Sequence, residues 1–201
     1  MIETGCEQNR EEINYDEIFV GSFKEAACEI LEADKAEKTA RFLLVDLDGT
    51  LFSNVMKYPF LSVLTEPSMS KKTEEYFELL VQTFDNRIAI ATNRNGREKI
   101  FWNSADMLEY VKRFIPKEQI FESMEKQIPL FFPKKVEELA DYIAASISEN
   151  YGGECRHGEL NSIEDKSIVA FNRSGFLKHV GKKLYEKYGI KVGIKNYVIK
   201  K

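Results

Sequence analysis

Residues 42–50, Phe-Leu-Leu-Val-Asp-Leu-Asp-Gly-Thr, constrain this chain more than any other stretch. Four apolar residues ending in a β-branched one read as a buried strand, and the two carboxylates and glycine that follow stop it abruptly. In an extended chain alternate side chains share a face, so Asp46 and Asp48 point the same way if the strand persists to Asp48. Two anions held so close repel each other unless a cation or a shared proton intervenes. The pattern therefore implies a hard divalent metal such as Mg²⁺, which takes oxygen ligands. One carboxylate of such a pair can attack an electrophile while its neighbour manages the proton. Asp and Gly are also ordinary turn formers, but loop decoration does not explain two acids placed directly behind an apolar run.

The rest of the chain alternates helix and strand signals. Apolar residues at Ile18, Phe23, Ala26, Ala27, Ile30 and Leu31 predict an amphipathic helix over 18–31, behind a polar amino terminus. The first strand is expected at 41–46. Residues 52–69, with Pro59 and Pro67, read as an ordered loop. Helices are predicted over 70–84, capped by Ser70 or Thr73, and over 104–114, 133–149 and 176–188. Further strands are expected at 87–92, near 119–121, at 159–164 (a weakly apolar one) and at 192–199. This β-α-β-α order predicts a Rossmann-like, doubly wound, mostly parallel sheet with helices on both faces. The division expected is a polar segment and docking helix over 1–38, then one domain over 39–201. The last strand has no tail behind it, which leaves open a longer parent chain.

Composition narrows the class of partner. At 201 residues, with 43% hydrophobic and 31% charged residues, the chain can bury one sizeable core and is not disordered throughout. A formal charge of −4 gives no reason to expect nucleic acid. No apolar run approaches the ~20 residues that span a bilayer, and the acidic start, Met1 to Glu12, is no standard signal peptide. Cys6, Cys28 and Cys155 are odd in number and far apart, as expected of free thiols in a reducing, cytoplasmic setting. Cys155 beside His157 lacks a third group or second motif and reads as a loop thiol.

Asp46-Leu47-Asp48-Gly49-Thr50-Leu51 resembles the first signature of the haloacid dehalogenase-like superfamily, most of whose members are phosphatases. Ile88-Ala89-Ile90-Ala91-Thr92-Asn93 resembles its second, in which a Thr hydroxyl and the following N–H groups hold phosphate oxygens. By itself a Thr at a strand end is more often a helix cap. Arg94 and Arg97 lie just beyond. The third signature is a lysine opening a later helix, and Lys134 or Lys135, after Pro133, stands in that place, with Lys126 in reserve. Ser162-Ile163-Glu164-Asp165-Lys166 resembles the fourth, which supplies metal-binding acids. Asp165 matches the usual ligand, whereas Glu164 stands where many relatives have Asp.

The resemblance implies a central parallel sheet with the motif strand between others. It also implies Mg²⁺ held by Asp46, the Asp48 carbonyl and Asp165, and phosphate contacts from Thr92, Asn93 and Lys134 or Lys135. Asp46 is then the nucleophile and Asp48 the acid and base. The segments between Thr50 and Arg87 and between Asn93 and Lys134 leave little room for a cap domain, which seldom has fewer than ~50 residues. An open site of that kind suits bulky substrates, and Tyr58-Pro59-Phe60 could wall its entrance. The expected function is a Mg²⁺-dependent phosphomonoesterase acting on phosphotyrosine or phosphoserine in a protein. A sugar phosphatase or nucleotidase is the alternative, as is a phosphate-binding or scaffolding module that kept the fold and lost turnover.

Overall fold

The computed structural model describes residues 13–36, 39–47, 49–52, 68–92, 104–121, 132–165 and 173–200, without the side chains of 104–106, 132–135 and 173. Among the described residues six strands form one sheet: β1 (Tyr15–Val20), β2 (Ala40–Val45), β3 (Ile88–Ala91), β4 (Ile120–Phe121), β5 (His157–Asp165) and β6 (Lys191–Ile199). Their order across the sheet is β1-β6-β5-β2-β3-β4, and every neighbouring pair is parallel. Parallel strands need crossover connections, and these are supplied by α1 (Phe23–Ala36), α2 (Lys71–Phe84), α3 (Ser104–Val111), α4 (Phe132–Tyr151) and α5 (Arg173–Tyr188).

Both faces of the sheet are covered. On one, Leu43, Val45, Ile88, Ile90 and Ile163 pack with Ile30 of α1, Phe77 and Leu80 of α2, and Met107 and Val111 of α3. On the other, Phe42, Leu44, Ala89, Leu160 and Ile194 pack with Leu139 and Ile143 of α4 and Leu177 and Val180 of α5. All six residues of β2 are buried. This is the doubly wound α/β arrangement expected from the order of elements. Ser70 caps α2, its hydroxyl accepting from the Thr73 N–H at 3.1 Å.

The amino-terminal element differs from its expectation. Tyr15–Val20 is a strand rather than the first turn of a helix, and it pairs in register with β6 from Tyr15↔Ile194 to Val20↔Ile199. The helix starts only at Phe23, where the Ser22 hydroxyl accepts from the Glu25 N–H (3.2 Å) and the Glu25 carboxylate takes the Gly21 N–H (2.7 Å). This is a variant of the capping box, so Ser22-x-x-Glu25 outweighs an apolar spacing that only fortuitously extends back to Ile18. The segment before residue 39 thus contributes an edge strand and a packed helix to the sheet.

Chain order and strand order change direction at one place. From β2 the chain steps outward to β3 and β4, then returns past β2 to β5 and continues outward to β6. The carboxyl ends of β2 and β5 therefore flank the switch point, where open α/β sheets form their binding crevice. The stretches 53–67, 93–103 and 122–131, where a cap or Tyr58-Pro59-Phe60 wall would lie, fall outside the described residues. Among the described residues no helix is long and apolar enough to cross a membrane.

Candidate active site

Two of the predicted acids meet at the switch point. The Asp46 N–H, just past β2, donates to the Ile163 carbonyl of β5 at 3.0 Å, and Asp165 ends β5 two residues further on. Between them the chain turns. Leu47 accepts from the N–H groups of Leu51 (3.1 Å) and Phe52 (3.0 Å), and the Gly49 N–H donates to the Phe52 carbonyl (2.9 Å). The strand ends at Val45 and this turn begins at Leu47, so alternation along an extended chain does not carry from Asp46 to Asp48. That condition on the shared face is not met; Asp48 itself lies outside the described residues.

Gly49 has a positive φ of 70°, which a residue with a Cβ adopts only at a cost. Space makes the same demand. A Cβ on Gly49 would sit 2.0 Å from Asp165 Oδ2 and 2.3 Å from its Cγ, so the Asp165 carboxylate rests where a side chain would be. The glycine of the first motif thus admits the acid of the fourth, across more than a hundred residues of chain. In the same turn the Thr50 hydroxyl is buried with no hydrogen-bond partner among the described residues.

The donor chemistry fits a hard divalent cation. The Asp165 carboxylate, resting on the Gly49 turn beside the strand end that leads into Asp46, is the kind of oxygen donor that Mg²⁺ takes. Among the described residues no three His, Cys, Asp or Glu side chains gather as a metal site; the third member of the expected set is Asp48.

Thr92 follows β3 and is buried, and its own N–H is already taken by the Phe121 carbonyl at 3.0 Å. Asn93, Arg94, Arg97 and Lys126 lie outside the described residues. Lys134 and Lys135 fall in the first turn of α4, whose side chains are not described. The direction of that helix is nevertheless set. Its far half reaches Asn86, just ahead of β3, through the Tyr142 hydroxyl (3.0 Å to the carbonyl), Glu149 (2.7 Å) and Asn150 (2.6 Å). The first turn with both lysines therefore lies toward the carboxyl ends of the strands, on the side of Asp46 and Asp165.

Glu164 is turned away from Asp165 by the pleat, and its carboxylate accepts from the Asn196 amide of β6. Sequence reasoning passed over Asn196; its signal was an amide in a strand that otherwise buries Tyr197, Val198 and Ile199. The weakly apolar start of β5 also has a physical reason. The Glu159 carboxylate accepts from Arg41 (3.0 Å), Lys195 (2.7 Å) and Asn161 (3.1 Å). Burial raises its pKa, but the bonds from Lys195, Asn161 and Arg41 together outweigh burial and hold it below the ordinary value. Cys28 and Cys155 are free thiols, and Cys155 Sγ contacts the His157 carbonyl.

No protein-family model, curated protein or solved structure matches this chain.

Proposed function

We propose that the chain is a Mg²⁺-dependent phosphomonoesterase working through an aspartyl-phosphate on Asp46. Phosphotyrosine or phosphoserine in a protein leads as substrate; sugar phosphates and nucleotides follow. One observation carries the reading: the Asp165 carboxylate rests on Gly49 of the Asp46–Thr50 turn, at the switch point of a doubly wound sheet. The resemblance of four segments to the haloacid dehalogenase-like signatures supports the same assignment.

In this mechanism an Asp46 oxygen attacks phosphorus in line and the phosphorus–oxygen ester bond breaks. Asp48 gives its proton to the departing alkoxide or phenolate. Asp48 then takes a proton from water, which attacks the aspartyl-phosphate, releasing phosphate and restoring Asp46. Thr92 and Asn93 orient phosphate oxygens, and Lys134 or Lys135 balances their charge from the α4 terminus. Mg²⁺ bound by Asp46, Asp165 and the Asp48 carbonyl would add charge neutralisation at the transferring group.

The test is hydrolysis of nitrophenyl phosphate and of a phosphotyrosine peptide, with Mg²⁺ and with EDTA. Turnover is expected to stop in chelator and return with Mg²⁺; undiminished turnover in EDTA removes the metal. Single-turnover phosphorylation by Asp48→Asn separates the acid from a bystander. A nitrophenolate leaves without a proton, so the substitution should slow the peptide more than the aryl ester and let phosphoenzyme accumulate. Equal losses on both substrates with no trapped intermediate reject the acid/base role. A parent protein that binds phosphate and turns over no ester is instead a binding module.

A further inference from the structure

Asp165 stands just past the end of one ladder of the sheet. The ladder between β2 and β5 ends at Val45↔Ile163, so Glu164 and Asp165 continue beside β6 alone, opposite Val198 and Ile199. At this overhang a side-chain line crosses three strands on the α5 face. Asn196, fully buried on β6, directs its Nδ2 to the Glu164 carboxylate and to the Tyr15 hydroxyl of β1 (3.1 Å). A carboxylate only accepts, so the amide nitrogen must face it, and both its hydrogens are engaged. Tyr15 is braced in turn by Lys178 of α5, whose Nζ lies 5.2 Å from the ring centre.

A buried amide in a strand is costly unless its bonds do something an apolar residue cannot. Asn196 has two such bonds, and one reaches the residue next to Asp165. Holding Glu164 on one face holds Asp165 on the other, because successive side chains of a strand share one backbone. We propose that Asn196, braced by Tyr15 of the edge strand, is a positioning residue: through Glu164 it keeps the Asp165 carboxylate against Gly49 and so sets the divalent-cation affinity of the site. This rests on the reading of Asp165 as a cation ligand.

Calorimetric titration of the full chain with Mg²⁺ tests it without any turnover. Asp46→Asn and Asp165→Asn are references, expected to lose binding. Asn196→Leu should weaken Mg²⁺ by about tenfold, the lower range for groups that hold a ligand in place. Glu164→Gln and Tyr15→Phe should weaken it less and are milder to folding, so one informative variant remains if Asn196→Leu does not fold. Tyr188→Phe removes a 2.6 Å bond to Asp141 between α4 and α5, and it should lower Tm without changing Mg²⁺ affinity. Parental affinity in Asn196→Leu, or in both milder variants, overturns the positioning role while leaving the metal site standing. A parent chain that binds no Mg²⁺ overturns both, and that outcome is recognised because the Asp46 and Asp165 variants then titrate like the parent.

Discussion

In the amino-terminal half of the sheet, Arg41, Lys195 and Asn161 all donate to Glu159 across three strands; at the carboxyl end, Asp46 and Asp165 bring charges of one sign to neighbouring strand ends. The first group is closed. Arg41 is almost wholly buried, and its guanidinium also donates to the Ala33 carbonyl of α1 at 2.8 Å, satisfying the last turn of that helix. Arg87, just ahead of β3, repeats the pattern, donating to Asp34 (3.1 Å), Tyr151 (2.6 Å) and the Thr83 carbonyl (3.0 Å), and so ties α1, α2 and α4 together. At the other end like charges gather over a glycine turn that leaves the Asp165 carboxylate room. One sheet thus joins buried charges of opposite sign at one end and sets two acids on neighbouring strand ends at the other.

The largest expected effect tests the acidic end. Asp46→Asn should abolish phosphatase turnover and leave the thermal midpoint near the parent's, since the amide keeps the shape and loses the nucleophile. Residual activity within tenfold of the parent, under ~1.4 kcal/mol of barrier, would sink the covalent mechanism.

The reverse substitution is Arg41→Met, which should lower stability by about 3 kcal/mol in denaturant titration and leave the activity of the folded fraction intact. Breaking a buried pair costs roughly 3–5 kcal/mol, and the low end applies because Lys195 and Asn161 still attend Glu159. A loss below 1 kcal/mol, or lost activity in folded protein, would erase the contrast between the two ends.

Tyr197 sharpens the comparison through pH. Burial, with Glu29 and Glu159 nearby, pushes its hydroxyl from 10.0 up to about 12, against the opposing pull of Arg41. A pKa raised on folding gives stability that is complete below the unfolded value and lost as pH climbs towards the folded one. The parent should therefore lose roughly 2 kcal/mol between pH 10 and 12, and Tyr197→Phe should remove that part of the alkaline slope. An unchanged slope would place the alkaline titration elsewhere.

The smallest pH-linked effect belongs to Glu159. Its pKa is depressed in the folded state, so its contribution is present above the ordinary value of 4.5 and disappears as pH falls through the folded value. Glu159→Gln should start less stable at neutral pH and show a shallower decline in acid. A parallel acid limb in parent and variant would show that the Arg41–Glu159–Lys195 cluster does not govern acid stability.

Much of this molecule was open to reading in one dimension. Periodicity located β2 to β6 and α2 to α5 to within a few residues, because each carries an apolar face or run of its own, and Ser70 announced the start of α2. The Asp46–Thr50 segment announces a strand end and a glycine turn, and the expected acids Asp46 and Asp165 lie on neighbouring strand ends. Tyr15–Val20 escapes the sequence reading because an edge strand with Asp16 and Glu17 exposed at successive, opposite-facing positions has no clear alternation, and its strand character comes from pairing with β6. The polar residues of β5 looked like a defect because their partners, Arg41 and Lys195, lie far away along the chain.

What the sequence determined by itself follows from interactions within a few residues: helix faces, caps, a buried strand, and a glycine turn behind two acids. The tertiary structure decided everything that needs separate strands to meet. It set the reversal of strand order beside β2, the approach of Asp165 to Gly49, and the passage of Tyr15 and Asn196 to Glu164. The physical reason is that side-chain period and capping are local properties of the chain. Parallel pairing is different: it requires long crossovers, and only the packed sheet states which strand ends become neighbours.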